Sequence, residues 1–209
     1  MGRWWRACAG GVVMLLGVLG CSNATDSPVR SVRSIGGPLS VSDAVGGFAF
    51  TAPAKATTWR GSFGDFVLCT KTSGTVARLE NVTTSSRVSP RSVSVWIHRV
   101  AAGRKSSQQF ISALGSPPTW HQSYADDHYA GRWHRGVRNV TIKQLCPAAH
   151  RRSAGVTELV FVVQADRKGA DVTSATVNYR VGKQHYAARI HWQMALCGSA
   201  RRLRTTCQS

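Results

Sequence analysis

Three groupings of side chains in this 209-residue chain are of types that do chemistry elsewhere. The first is a dense run of rings, histidines and acids: Trp120, His121, Tyr124, Asp126, Asp127, His128, Tyr129, Trp133 and His134. Rings of this kind are favoured binding anchors when a rigid scaffold presents them on a loop. They serve equally well to cover an open sheet edge. Trp120, Tyr124, His128, Tyr129 and Trp133 therefore form the candidate binding surface. The three histidines stand seven and six residues apart, which matches no compact metal-ligand spacing. No metal and no other cofactor is expected.

The second grouping, His191, Met194 and Cys197, has the ligand types of a blue-copper centre. In a strand, however, His191 and Cys197 would stand about 20 Å apart, with Met194 on the opposite face. Core packing and a disulfide suit them better. For nucleophilic catalysis serines and histidines abound, but neither GxSxG nor HExxH occurs. Asp126-Asp127 are adjacent loop carboxylates with no partner set for acid–base work. No catalytic residue is assigned, and a non-catalytic protein is expected.

The third grouping is the cysteines. Cys8 and Cys21 lie near the amino end, leaving Cys69, Cys146, Cys197 and Cys207. There is no CxxC, so zinc and thioredoxin-type readings have no basis. Outside the cytoplasm an even set reads as disulfides, and four cysteines allow three connectivities.

The amino end says which compartment applies. Arg3 and Arg6 precede an uncharged, mostly apolar stretch from Ala7 to Gly20, interrupted by Gly10, Gly11 and Gly17. That is the pattern of a secretory signal. Val18-Leu19-Gly20-Cys21 resembles the lipobox of bacterial lipoproteins, which implies cleavage after residue 20 and lipid attachment at Cys21. The expected location is the outer face of the cytoplasmic membrane. Removing 1–20 takes away two arginines and no acid, so the net charge of +18 becomes +16. Such a protein is expected to associate with anionic lipid head groups or envelope polymers. The basic residues are scattered and no nucleic-acid-binding motif is present, so nucleic acid is not an expected partner.

What remains must position these groups. Residues 21–58 are rich in Ser, Thr, Gly, Ala and Pro and read as a flexible tether, with Phe48 and Phe50 able to dock as an edge strand. From Trp59 to the end the pattern is β. Phe63–Cys69, Val76–Val82, Ser92–Val100, Val137–Cys146, Glu158–Gln164, Ala175–Val181 and Ile190–Leu196 predict about seven strands. In Ser92–Val100, Val93, Val95 and Ile97 face the core and Ser94, Trp96 and His98 face out. Glu158–Gln164 is apolar on both faces and predicts a central strand. Residues 101–136 form a long insertion with a short helix over 106–115. The fold class is all-β, an antiparallel two-sheet sandwich of immunoglobulin-like type.

Leu68-Cys69 before a Gly turn, Leu79-Glu80-Asn81-Val82, Glu158-Leu159-Val160-Phe161, Val177-Asn178-Tyr179 and Ala195-Leu196-Cys197-Gly198 give the chain its family likeness. It resembles the small exported or lipid-anchored actinobacterial proteins of uncharacterised function. That resemblance implies a β-sandwich and transfers no activity. The expectation is a lipid-anchored binding or structural module of unknown partner. The alternatives are an extracytoplasmic enzyme using residues 120–134 and an immunity or inhibitor module for a secreted protein.

Overall fold

The computed structural model describes residues 30–31, 37–43, 46–101, 112–117, 119–120, 131–146 and 155–207. In chain order the strands are β1 (Arg30–Ser31), β2 (Leu39–Asp43), β3 (Gly46–Thr51), β4 (Thr58–Thr70), β5 (Ala77–Val88), β6 (Ser92–Val100) and β7 (Ser112–Ser116). Then come β8 (Thr119–Trp120), β9 (Arg132–Arg135), β10 (Thr141–Ile142), β11 (Val156–Asp166), β12 (Ala170–Val181), β13 (Gln184–Ile190) and β14 (Trp192–Cys197). A 3-10 turn, Arg201–Leu203, leads into a four-residue helix, α1 (Arg204–Cys207).

Two sheets result. One runs β1-β2-β4-β11-β6-β9, with β7 beside β4 and β8 beside β7; the other runs β10-β5-β12-β14-β3, with β13 also on β12. β11 occupies the centre of the first sheet, pairing with β4 and β6, and Leu159 to Val163 are all buried. A strand covered on both sides must be apolar throughout, which is why this segment shows no alternation. β12 does alternate: Ala175, Val177 and Tyr179 are buried, whereas Thr176, Asn178 and Arg180 are partly exposed. β13 and β14 are one return strand interrupted at the exposed His191, the register passing from Ala175↔Ile190 to Val172↔Met194.

The core lies between the sheets. Phe63, Phe66, Leu68 and Phe161 of the first meet Leu79, Val177, Met194 and Leu196 of the second. Burying each such side chain contributes about 1.5–3 kcal/mol. A Cβ on Gly61 would come within 2.7 Å of Leu196 and 2.8 Å of Phe50, so glycine sets how closely the layers meet here.

The all-β two-sheet sandwich is the architecture expected from the sequence, with differences of detail. Strands beyond the expected seven are mostly short, and β3 pairs with β14 in parallel, so the second sheet is mixed. The segment expected to end a helix, 112–115, is β7, paired with Gly61–Phe63; residues 106–111 lie outside the described residues. Ala113 is buried there and Ser62 Oγ donates to the Gly115 carbonyl at 2.9 Å, so an available sheet edge outweighs local helix propensity. Among the described residues the α-helix lies instead at 204–207.

The stretch expected as a tether to residue 58 supplies β2 and β3. Leu39 and Val41 are buried, and Phe50 packs on Phe63, as the docking of Phe48 and Phe50 anticipated. An edge strand needs only two or three apolar anchors, too few to alter composition. The insertion expected over 101–136 likewise holds β7, β8 and β9. The strand expected at 137–146 is reduced to β10. Val137, Val140 and Ile142 still fill the core from a turn in which Asn139 takes a left-handed φ of 65°.

Candidate functional site

The outer face of the first sheet carries a buried polar pair. β6 and β11 align His98 with Glu158, and β9 aligns Trp133 with His98. His98 Nδ1 lies 2.6 Å from Glu158 Oε1, and neither side chain has any exposure. The Trp133 ring stacks flat on the imidazole, 4.0 Å between centroids at 8°. Trp96 and Trp133 pack in turn against Ala113 and Val160. A bond of this length lies at the short end of the range for a nitrogen–oxygen hydrogen bond. Alternation in Ser92–Val100 assigned His98 and Trp96 to the outside; the structure corrects this, because the Trp133 ring stacks on His98, which is buried, and Trp96 packs half-buried against Ala113 and Val160.

Carboxylate and imidazole at this spacing are the base half of a catalytic triad. Here the other ring nitrogen abuts Gly131, where a Cβ would come within 2.4 Å of Nε2. Nε2 has no hydrogen-bond partner among the described residues, so no described nucleophile is in place for it to activate. The described arrangement is a carboxylate–imidazole pair with an indole ring stacked on the imidazole.

Of the candidate binding residues, Trp133 is thus part of the sheet's cover. Trp120 lies on β8, its backbone opposite Gly115 of β7. Tyr124, His128 and Tyr129 lie outside the described residues, as do His121, Asp126, Asp127 and Cys21. His134 pairs with Ile97 at the β6–β9 edge and is exposed. The remaining cysteines take one of the three possible connectivities: Cys69–Cys146, with Cα atoms 5.2 Å apart, and Cys197–Cys207, at 5.9 Å. With Met194 in the core and Cys197 in a disulfide, His191, Met194 and Cys197 form no common site.

A second feature was not read from the sequence. A cleft of about 700 Å³ opens beside β3, lined by its residues Gly47, Phe48, Ala49 and Thr51, by Arg87 and Gln193, and by α1. The Cys197–Cys207 disulfide ties α1 to β14 and forms one wall. Beneath it lies the fully buried Asp171. Arg87 Nε donates to Asp171 Oδ2 at 2.7 Å, and Gln193 Nε2 donates to Asp171 Oδ1 at 2.9 Å. Both also donate to Thr206 Oγ1, at 2.9 and 3.1 Å. The buried charge is therefore compensated, and the wall is fixed by hydrogen bonds between residues far apart in sequence. The one available signal was the ten-residue separation of Cys197 and Cys207, which folds the tail back on β14.

The chemistry the cleft offers is hydrogen bonding by hydroxyls, an amide and one paired guanidinium, beside the half-exposed ring of Phe48. The cysteines among its lining residues are oxidised, and no histidine is among them. No protein-family model matches this chain, and no curated protein is similar enough to match it.

Proposed function

We propose that this is an exported, lipid-anchored cell-envelope protein whose sandwich is a non-catalytic binding module, with the cleft beside β3 as its ligand site. The observation that carries the binding reading is the cleft itself. Its volume lies in the range of small-ligand sites, and its walls are held by a disulfide and by the Arg87–Asp171–Gln193–Thr206 network. The groups around it bind without transferring protons, which suits a polar, extended peptide or glycan segment. Export is supported by the signal-like residues 1–20 and by two disulfides, which a bacterial cytosol would keep reduced.

Two experiments test this. Fractionation of the Cys21→Ala protein is expected to move it from the membrane to the soluble fraction and to abolish incorporation of labelled palmitate; retention in the membrane would remove the anchor. Titration of the labelled protein with envelope glycan fragments and with extended peptides is expected to shift the NMR signals of residues 46–51 and 205–207. Thr205→Arg, which fills the cleft, should suppress those shifts. Shifts confined to other surfaces would overturn the site.

A further inference from the structure

We propose that one corner of the second sheet, carrying Lys143, Arg78, Arg180, Lys183 and His185, docks on the anionic phospholipid headgroups of the bilayer to which the protein is tethered; the geometry of reach rests on the lipid-anchor reading above. The corner is set by register. Arg180 of β12 lies opposite Arg78 of β5 on one side and His185 of β13 on the other, and Arg78 lies opposite Thr141 of β10. At about 4.8 Å between strands, the four strands span a strip about 15 Å long.

Like charges directly opposite one another on a sheet face are destabilising. Glu80 is the carboxylate that offsets this row, 3.1 Å from His185 Nδ1 and 3.9 Å from Arg180 Nε. It balances one charge of several. Lys143 and Lys183, both exposed, extend the positive field beyond β10 and into the β12–β13 turn. Two arginines side by side on β5 and β12, with an exposed lysine beyond each end of the row, make a face that suits an anionic surface.

Two observations favour a bilayer over a soluble polyanion. Val76, 42% exposed, immediately precedes β5 two residues before Arg78, and Leu145, 41% exposed, follows Lys143 by two residues where it bridges to Thr70 of β4. Apolar side chains beside basic ones suit the interface between headgroups and acyl chains, and a hydrated polymer gives them no environment. The second is reach. Eight residues lie between Cys21 and Arg30 of β1, a span of about 30 Å when fully extended. A domain held that close has its surface within the headgroup field for much of the time, and a face with these charges would be drawn to it.

The test uses the unlipidated chain from residue 22 to 209, which retains every described strand, sedimented with vesicles of phosphatidylcholine alone or mixed with phosphatidylglycerol. Binding is expected only with phosphatidylglycerol and is expected to fall with added salt. Each surface cation contributes about a fivefold factor in partitioning. The variant Arg78→Gln/Lys143→Gln/Lys183→Gln should therefore bind roughly a hundredfold more weakly. Arg91→Gln/Arg167→Gln/Lys168→Gln removes the same charge from the turns at the other end of the sandwich and should lose far less. Val76→Ser/Leu145→Ser should weaken the binding that survives high salt. Equal losses in the two triple variants would mean that bulk charge alone acts, and would overturn the proposal. So would binding to soluble linear polyphosphate without binding to vesicles. Because this chain lacks Cys21, the outcome does not depend on lipidation, which the fractionation of Cys21→Ala tests separately.

Discussion

His98 and Glu158 face each other across β6 and β11, 2.6 Å from nitrogen to oxygen, with neither side chain reaching solvent. Removing one partner breaks this bond and leaves the other, still fully buried, without the group that faces it across the strands, at a cost of about 3–5 kcal/mol. His98→Ala and Glu158→Ala are each expected to lower the melting temperature by roughly 6–20 °C in a domain of this size. The double variant should cost clearly less than the two losses added together. Thermal unfolding followed by circular dichroism measures all three. Strict additivity would show that the pair is not coupled.

A tyrosine hydroxyl also links the two sheets. The Leu39 backbone N–H donates to Tyr179 Oη at 3.1 Å, linking β2 of one sheet to β12 of the other. Tyr179→Phe leaves that buried donor unsatisfied, which costs about 1–3 kcal/mol. Gly37→Ala should be worse, because its Cβ would fall 1.9 Å from the hydroxyl oxygen. Burial raises the Tyr179 pKa above its ordinary value, an effect partly opposed by the Leu39 hydrogen bond. The folded state then holds the proton more tightly than the unfolded one, so stability falls as pH rises above about 10. The Phe variant should lose this contribution to alkaline sensitivity, as chemical unfolding across pH would report.

The disulfides differ in what they constrain. Cys69–Cys146 closes 77 residues and Cys197–Cys207 closes 10. On the loop-entropy account these contribute about 4–5 and about 2–3 kcal/mol. Replacing the first pair by Ser should therefore lower the denaturant midpoint more than replacing the second. Loss of Cys197–Cys207 has a local consequence as well, since it frees α1 from β14 and removes one wall of the cleft. Faster amide exchange at 204–207, with the sheets unaffected, is the expected signature.

The parts of the fold carried by strong local pattern were legible. Ser92–Val100 is the extent of β6, and the unbroken apolar run of Glu158–Gln164 is the central strand β11. What depended on distant residues was not. His98 looks outward by alternation alone, and nothing near it in sequence tells that Trp133, brought in on β9, stacks on its ring. Arg87, Gln193 and Thr206 meet at the cleft across separations as large as 119 residues, which no local spacing encodes. The cysteines announced themselves, but their partners did not, because pairing is decided by which strands become neighbours.

Asp65 offers a prediction in the stabilising direction. Opposite Val160 the β4–β11 register slips, since Leu159 pairs with Phe66 but Phe161 pairs with Phe63, so Gly64 and Asp65 share one partner position. Asp65 takes a left-handed φ of 74° in this bulge, and Ser42 Oγ accepts from the Val67 N–H beside it. Burial raises the Asp65 pKa above the ordinary carboxylate value. The native state therefore binds the proton more tightly than the unfolded chain, and stability is lost as pH rises from about 4 through the raised value. Asn tolerates the left-handed region well and carries no charge to desolvate. Asp65→Asn is thus expected to raise the melting temperature at pH 7, with the gain shrinking toward zero as pH falls below about 4. A gain that persists unchanged at low pH would assign the effect to backbone preference instead of charge burial, and a loss at pH 7 would mean that the carboxylate makes a favourable contact in the native state.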